Sequence, residues 1–444
     1  MSDFCRRYPV SRRRLVQGAA AMSAATALGR FGTTRAQECG SLTVFGNGSF
    51  NEEGDAKLGE QMQEWGEANG IEVEYTATNA DYPTELATRI EAGSEPDIAM
   101  MTADLALYYA NQQRLVDITD VYDGLKGLAG GMYEKLLAHV QAEGRIYAIP
   151  MQSDVSVMYA RLDLIEEVNG TRNPPQTLDE LEQLATEIND PPQLFGIGLT
   201  LGRVTDSHQE VEQLIFAHGG TVVNEQGTPA INNPGTIAAL ERVKRWWDAG
   251  LIPENAPSWD DTSNNTAYQS GQLAFTFNPA SIFAFLEEND PELLADTAQA
   301  QFPAGPAGSF PAVGTWAWSI FNSSPCVDAA KAMITEIMQP EKVQELYEVV
   351  GGRWYPVYRD LANAPFWTER PFFSDFPSII DNSREVWYPA QSDAVLIAKL
   401  ANVSQKRIYP DMLQQVVIND MPPAEAAAAA ETAMEQAFAE TAGP

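Results

Sequence analysis

The side chains that could do chemistry form no recognisable catalytic or metal-binding motif. The three His residues, His139, His208 and His218, are scattered, and the sequence contains no HExxH helix, CxxC pair or EF-hand loop. A G-x-S-x-G elbow and a Walker loop are also missing. Carboxylate pairs are plentiful in so acidic a chain, so they do not indicate glycosidase chemistry. The sequence therefore predicts no catalytic residue, no metal and no cofactor.

Polar and aromatic side chains instead gather where predicted strands end. From Ser41 the order is strand, loop, helix, strand, helix, strand, which is typical of a parallel, doubly wound sheet. Ligands of such sheets gather at the carboxyl ends of the strands. The candidates at those ends are Asn47, Ser49, Phe50, Asn51, Glu52, Asp81, Tyr82, Thr102 and Asp104.

The stretch 145–168 is predicted to cross from one sheet to another. A strand that ends at Pro150 leads into the polar residues Gln152, Ser153 and Asp154, and a second strand follows at 155–160. Proline has no N–H to give to a sheet, so we expect the first strand to leave its ladder there. A polar turn at this point would place amide and carboxylate groups in the space between two bodies. The alternative is that Ser153 and Asp154 only cap the backbone.

A chain of 444 residues is too long for one core, so two domains are expected. Residues 132–141 are predicted to be helical. A second α/β body is predicted over 150–303, from strands at 195–201 and 273–278 alternating with helices at 178–188, 209–218 and 234–249. A Pro/Gly-rich stretch at 302–311 is predicted to return to the first sheet, a further crossing is predicted at 351–356, and helices are predicted from 366 to the end.

The N-terminal 36 residues have the pattern of a twin-arginine signal peptide. Arg12, Arg13 and Arg14 precede a small, weakly apolar run at 18–28, and Ala36 offers a cleavage site. The alternative is a basic tail of a cytosolic protein. Residues 1–36 contain seven Arg and one Asp, so the remainder keeps 21 basic and 60 acidic residues, a net charge of −39. Such a surface repels nucleic acid and anionic lipids. We expect a periplasmic protein that does not insert into the membrane.

Eight segments in a fixed order carry a resemblance to a known family. They are LTVFGNGSFNEEG (42–54), PDIAMMTADLALYYA (96–110), YAIPMQSDVSVMYARLDLIEE (147–167), PPQTLDELEQLA (174–185), GQLAF (271–275), VGTWAWSIFNSSPCVDAAKAMI (313–334), GGRWYPV (351–357) and PPAEAAAAAETA (422–433). Together they span nearly the whole mature chain. The sequence resembles the extracellular solute-binding proteins of ABC importers, in the carbohydrate-binding, maltose-binding-protein-like group.

This resemblance implies a two-lobed α/β periplasmic binding protein of the type II-like class, in which each lobe has a doubly wound sheet. Lobe 1 would comprise 37–149 plus 304–352, and lobe 2 would comprise 150–303 plus 353–444. Hinge crossings would join the lobes, and the ligand would bind between them. From the sequence alone, Cys39 and Cys326 are as well explained by two free thiols as by a disulfide. The implied fold brings them together and favours the disulfide.

A sugar site needs planar side chains that donate and accept hydrogen bonds, together with aromatic plates. By resemblance, Asp104 would accept sugar hydroxyls, with a surface helix cap as the alternative. Asn278 and Ser281 would be lobe 2 contacts, with helix capping as their alternative.

Aromatic and guanidinium groups complete the candidate set. Trp316 and Trp318 lie two residues apart on a strand and are predicted to face the same side, either toward a ligand or into the core. Arg353 would clamp vicinal hydroxyls or a carboxylate, or would brace the hinge. The remaining candidates are aromatic, with packing of the final helices as the alternative for the last two: Trp354, Trp387 and Tyr388.

The function that we expect is capture of a sugar or polyol and its delivery to an ABC permease by a monomeric receptor. One rival is an exported carbohydrate-active enzyme on a similar frame. Another is the same receptor with a different cargo. An anion would require several converging cations, and Arg353 is the one strong candidate. A polyamine would require a cage of carboxylates and aromatic rings, for which Glu52, Asp81, Asp104 and Asp154 could supply the carboxylates.

Overall fold

The computed structural model describes residues 39–79, 82–383 and 394–441. The strands in these ranges are β1 (Ser41–Asn47), β2 (Glu72–Thr78), β3 (Ile98–Thr102), β4 (Gln141–Ala142), β5 (Arg145–Ile146), β6 (Ile149–Val155), β7 (Val157–Arg161), β8 (Phe195–Gly198), β9 (Leu273–Asn278), β10 (Thr297–Ala300) and β11 (Val313–Ile320). They form two larger sheets and one short hairpin.

Helices surround both sheets. The first nine are α1 (Glu52–Asn69), α2 (Tyr82–Glu91), α3 (Ala103–Asn111), α4 (Thr119–Leu125), α5 (Glu134–Ala138), α6 (Leu162–Asn169), α7 (Leu178–Ile188), α8 (Thr205–Ala217) and α9 (Pro234–Asp248). They are followed by α10 (Ser263–Gln269), α11 (Ser281–Asn289), α12 (Pro291–Ala295), α13 (Val327–Ile337), α14 (Pro340–Val349), α15 (Pro365–Thr368), α16 (Phe376–Asn382), α17 (Ala394–Gln405), α18 (Ile408–Val417) and α19 (Pro423–Glu440). None of the helices in the described ranges combines the length and apolar character that crossing a bilayer requires.

The first sheet has the strand order β2-β1-β3-β11-β6. Strands β1, β2 and β3 are parallel, as the alternating pattern predicts, and β11 is antiparallel to both of its neighbours. Helix α1 begins where the Asn51 side chain accepts a hydrogen bond from the Gly54 N–H and ends at Gly70, which has a left-handed backbone with φ of 69°. Its apolar face packs into the core through Leu58, Met62 and Trp65.

The second sheet has the order β10-β7-β9-β8, in which β8 and β9 are parallel and β7 is antiparallel to β9 and β10. Helix α7 lies against this sheet and begins with the predicted capping box. The Glu180 N–H donates to the Thr177 side chain, and the Glu180 carboxylate accepts from the Thr177 N–H. The helix therefore begins and ends at the predicted residues.

The residues that lead into the crossing form a strand rather than a polar turn. Strand β6 continues through Pro150 and ends at Val155, and after Ser156 the chain enters β7 of the second sheet. Proline is tolerated because β6 lies at the edge of its sheet, where one side of the strand has no partner in the ladder. The predicted turn at 152–154 is therefore wrong, since these residues pair with β11.

The predicted helix at 132–141 is largely wrong. Only α5 forms there, and the chain then turns back in the hairpin of β4 and β5. Both turn residues, Glu143 and Gly144, have positive φ angles of 53° and 75°. That combination is typical of a tight two-residue hairpin turn.

The C-terminal part of the chain contacts helices of both sheets. Helices α18 and α19 pack against α8 and α9 beside the second sheet, whereas α17 packs against α3 beside the first. Residues 354–383 also contact both sides, because Tyr355 pairs with Ser153 and Phe372 stacks on Phe283. The predicted lobe boundaries stay a prediction.

A disulfide joins Cys39 to Cys326, with the two Cα atoms 5.3 Å apart. Cys39 lies two residues before β1, and Cys326 directly precedes α13. The bond therefore fixes the start of the described chain to a segment 287 residues later.

Candidate functional site

A cavity of about 220 Å³ lies between the two sheets. Its walls combine side chains from the carboxyl ends of β1 and β3, from β6 and β11, from helices near the second sheet and from the C-terminal helices. The polar and aromatic residues that line it are Asn47, Phe50, Asn79, Tyr82, Thr102, Asp104, His139, Asp154, Thr205, Asp206, His208, Gln209, Glu212, Asp261, Asn265, Asn278, Ser281, Thr315, Trp316, Arg353, Ser404, Gln405, Arg407 and Tyr409.

The loop between β1 and α1 supplies one wall. Phe50 adopts a left-handed backbone with φ of 59°, and its N–H donates to the Asn79 side chain at 3.2 Å. Gly48 lies so close to Asn79 that a side chain at position 48 would collide with it. The loop is therefore fixed in a shape that leaves the Phe50 ring partly exposed in the cavity wall.

Aromatic rings form a second wall beside this loop. Tyr82 stacks on Phe45 with ring centres 4.8 Å apart and meets Trp316 edge-on at 5.3 Å. Trp316 lies in the cavity wall, whereas Trp318 is completely buried in the core. Strand β11 keeps a regular register with β3 from Trp316 to Ile320, and the predicted common face of the two tryptophans stays a prediction.

A buried ion pair lies at the base of the cavity. Arg353 Nη1 donates to Asp154 Oδ1 at 2.6 Å, and the side chains are only 9% and 12% exposed. Gln152 Nε2 also approaches Asp154, at 3.4 Å. The Arg353 guanidinium lies 5.7 Å from the centre of the Phe50 ring. Arg353 therefore joins strand β6 to the loop between β1 and α1.

A hydrogen-bonded network of amides and a hydroxyl lies at the end of β9. Asn278 Nδ2 donates to Asn265 Oδ1, and Ser281 Oγ donates to Asn278 Oδ1 at 2.9 Å. Asn265 Nδ2 closes the network by donating to Ser281 Oγ at 3.3 Å. All three side chains are buried, so the network holds them in a fixed orientation at the cavity wall.

Helix α8 contributes an acidic wall. The Asp206 N–H donates to Asp261 Oδ1 at 3.0 Å, and Asn264 donates to the Asp206 carboxylate at 3.1 Å. Burial, and then the nearby Asp261 charge, raise the pKa of Asp206 well above its ordinary value. Asp206 therefore releases its proton at a higher pH than an exposed aspartate does.

Two residues further along α8, an imidazole is held between a carboxylate and an aromatic ring. His208 Nε2 lies 3.5 Å from Glu212 Oε1, and the His208 ring stacks on Tyr409 with centres 4.4 Å apart. Burial and the Glu212 charge raise the pKa of Tyr409 well above its ordinary value, so its hydroxyl stays protonated.

The structure brings nine of the predicted ligand residues to the cavity wall. They are Asn47, Phe50, Tyr82, Asp104, Asp154, Asn278, Ser281, Trp316 and Arg353. Their predicted contacts with a ligand stay predictions.

Thr102 also lines the cavity, whereas seven candidates that the structure describes do not. Of these seven, Ser49 and Trp318 are buried. Asn51 instead caps α1, and Glu52 lies in the first turn of that helix. Gln152 and Ser153 are buried in β6, and Trp354 is completely buried. Gln152 and Ser153 were expected in an exposed turn. They are buried because they lie in strand β6 instead. Asp81, Trp387 and Tyr388 lie outside the described residues.

Sequence reasoning missed the α8 wall and the C-terminal contribution. The rule that ligands gather at strand ends, applied to β8, would have indicated Asp206 and His208, because α8 follows that strand. Tyr409 carries no comparable signal, since an apolar helix start is typical of core packing. Within the described ranges, no group of three His, Cys, Asp or Glu residues is arranged to hold a metal ion.

Comparisons with known proteins agree with this architecture. Residues 60–374 match the family model described as bacterial extracellular solute-binding protein. A binding protein of Brucella abortus (strain 2308) is 23% identical over 304 residues, which cover 68% of this chain and 72% of that protein.

Two solved structures have a similar fold. Maltose-bound MalE3 of T. maritima aligns with a TM-score of 0.77 and 22% identity, and covers 89% of this chain and 99% of its own. An ABC transporter solute-binding protein of Agrobacterium radiobacter K84, in complex with ribitol, aligns with a TM-score of 0.75 and 18% identity, and covers 89% and 98%. These alignments confirm the predicted two-lobed α/β fold class.

Proposed function

Because the chain belongs to the family of bacterial extracellular solute-binding proteins, we propose that its cavity binds a sugar or a polyol. The observation that carries the proposal is the composition of the cavity wall. Amide, hydroxyl and carboxylate groups from both sheets face one space, and the Tyr82 and Trp316 rings lie beside them. Such groups donate to and accept from hydroxyls, and the rings pack against the apolar faces of a sugar.

The fixed Asn265, Asn278 and Ser281 network supports this assignment. Its side chains are oriented by one another before any solute arrives, so binding would cost little side-chain entropy. The solutes named for the two similar structures, maltose and ribitol, are a sugar and a polyol. A neutral, hydroxylated solute fits the same kind of wall.

Binding would be coupled to closure of the two lobes. A solute that contacts both walls gains those contacts only when the walls are close together, so it shifts the population toward the closed form. A differential affinity of about 5.5 kcal/mol moves such an equilibrium from 1:99 to 99:1. Several hydrogen bonds, each worth about 0.5–1.5 kcal/mol, together with a packed ring, are enough to supply it.

The closed form would deliver its solute unchanged to an ABC permease. The protein would work as a monomeric periplasmic receptor, exported by the twin-arginine route, and would not act as an enzyme. Mass spectrometry of oligosaccharides incubated with the protein separates a receptor from an enzyme, because a receptor leaves them intact. Replacing Arg12 and Arg13 with Lys should abolish export, and normal export of this variant would contradict the proposed route.

Isothermal titration against sugars, polyols and their amino derivatives tests the binding proposal. We expect one-to-one saturable binding of at least one compound. The affinity of Asn278→Ala for that compound should be about tenfold lower, because the variant lacks the side chain that forms a hydrogen bond with the solute. Asn289→Ala, at the exposed end of α11, is the matched control and should bind normally. Equal affinities for both variants and the parent would contradict the proposed site.

A further inference from the structure

The described residues of the cavity wall carry more acidic than basic side chains. Five lining residues carry carboxyl groups and two carry guanidinium groups. Arg353 is committed to Asp154 at 2.6 Å, and Arg407 also has a partner within the protein. No lysine is among the described residues that line the cavity. The described part of the wall therefore offers an anionic solute neither a guanidinium nor an ammonium group that is free of a partner.

Asp206 and Asp261 account for part of the surplus. They approach each other through the Asp206 backbone, and burial together with the Asp261 charge raises the pKa of Asp206 well above its ordinary value. The other two carboxylates, Asp104 and Glu212, lie on helices that belong to opposite sides of the cavity.

Asp104 is available to a ligand. It lies in the first turn of α3 and is partly exposed in the cavity wall. Within the described part of the chain, its carboxylate takes part in no hydrogen bond or ion pair. The alternative role from the sequence, capping its own helix, is not found, because the residue before α3 is Thr102 and no side chain caps this helix.

Glu212 is the more informative group. Its side chain is only 7% exposed, and its one ion-pair partner among the described residues is His208 Nε2, at 3.5 Å. A carboxylate removed from water requires a positive partner or strong hydrogen bonds. The stacked rings of His208 and Tyr409 form a flat wall beside it, and such a wall can also accommodate a cation. The protein itself therefore supplies Glu212 with little compensation.

We propose that the solute carries a cationic amine in addition to its hydroxyl groups, and that Glu212 is the residue that selects for it. An aminated sugar or polyol would place its ammonium group beside Glu212 and its hydroxyls against the Asn278 network and Asp104. This assignment rests on the proposed function, since it names the chemical class of solute for the same cavity. Glu212 acts here as a specificity-determining residue.

Pairs of compounds that differ only in an amine test the assignment by isothermal titration at pH 7. The pairs are glucose with glucosamine and sorbitol with 1-amino-1-deoxysorbitol. We expect the amine to bind about tenfold more tightly or better in at least one pair, because hydrogen bonds to charged groups are worth about 1.5–3 kcal/mol. A neutral member that binds as tightly as its amine in every pair would overturn the assignment and leave the proposed function intact. No binding by any of these compounds or by the wider panel would contradict the proposed function itself.

Substitution of Glu212 tests the residue. Glu212→Gln keeps the shape of the side chain but removes its charge. The dissociation constant of the neutral compound divided by that of its amine should fall about tenfold in this variant. Glu187→Gln, on the exposed face of α7, is the matched control and should keep the ratio of the parent. An unchanged ratio in Glu212→Gln would show that Glu212 does not select for the amine. If this buried substitution prevents folding, the comparison of amine and neutral compounds in the parent protein still decides the solute class.

Discussion

Removal of either charge of the Arg353–Asp154 ion pair is expected to destabilise the protein strongly. The two side chains are 9% and 12% exposed and are joined at 2.6 Å, so either charge left alone would remain largely out of water. Removing one partner of such a buried pair costs about 3–5 kcal/mol, much more than the loss of an exposed pair. Gln152 lies 3.4 Å from Asp154 and would offset only a small part of this cost.

The two single variants and the double variant form a thermodynamic cycle. Arg353→Leu and Asp154→Leu should each lower the free energy of unfolding by about 3–5 kcal/mol, because each leaves the other charge unpaired. The double variant should lose much less than the sum, because neither buried charge remains. Urea unfolding at pH 7, followed by circular dichroism, measures all four free energies.

The exposed pair of Lys126 and Asp123 provides the matched control for this cycle. Both of its side chains are 55% exposed, and Lys126→Leu should change the free energy of unfolding by less than about 1 kcal/mol. Losses below about 1 kcal/mol in both Arg353→Leu and Asp154→Leu would refute the argument that burial makes either unpaired charge costly. Losses that simply add in the double variant would refute it as well.

Three further perturbations test other parts of the structure. Replacing Cys39 and Cys326 with Ser should lower the free energy of unfolding by about 2–5 kcal/mol, because the bond closes a loop of 287 residues, and no difference in urea unfolding would contradict this expectation. Ile397→Ala, in the contact of α17 with α3, should cost about 2–5 kcal/mol in the same assay, and a loss below 1 kcal/mol would show that α17 is not packed as described. Burial raises the pKa of Glu210 in the folded protein above its value in the unfolded chain, so the folded protein holds this proton more tightly. The resulting contribution to stability is greatest below about pH 4 and falls as the pH rises toward the pKa of Glu210 in the folded protein. Glu210→Gln should therefore lose less stability than the parent between pH 4.5 and pH 8, and identical pH dependence in thermal unfolding would contradict this sign.

The sequence predicted the elements that depend on local pattern. The alternation of strands and helices from Ser41 gave the parallel part of the first sheet, and the Thr177 capping box gave both ends of α7. These elements succeed because their signals lie within a few residues of one another. The predicted fold class then followed from the order of segments and is confirmed by the structural alignments.

The candidate site was predictable only in part, because a cavity depends on contacts between distant segments. Pro150 was predicted to end a strand, yet the position of β6 at the edge of its sheet allows the strand to continue and buries Gln152 and Ser153. Tyr409 reaches the cavity because α18 packs against α8, a contact between segments about two hundred residues apart. No local pattern carries that information.

Small-angle X-ray scattering, combined with calorimetric titration, tests the central claim most directly. Titration of the folded protein with the panel of sugars, polyols and amino derivatives should give one-to-one saturation by at least one compound. The same compound should reduce the radius of gyration, because it holds the two lobes together. Binding by none of the compounds, or saturable binding that leaves the radius of gyration unchanged, would contradict an account in which a hydroxylated solute is enclosed between the two sheets.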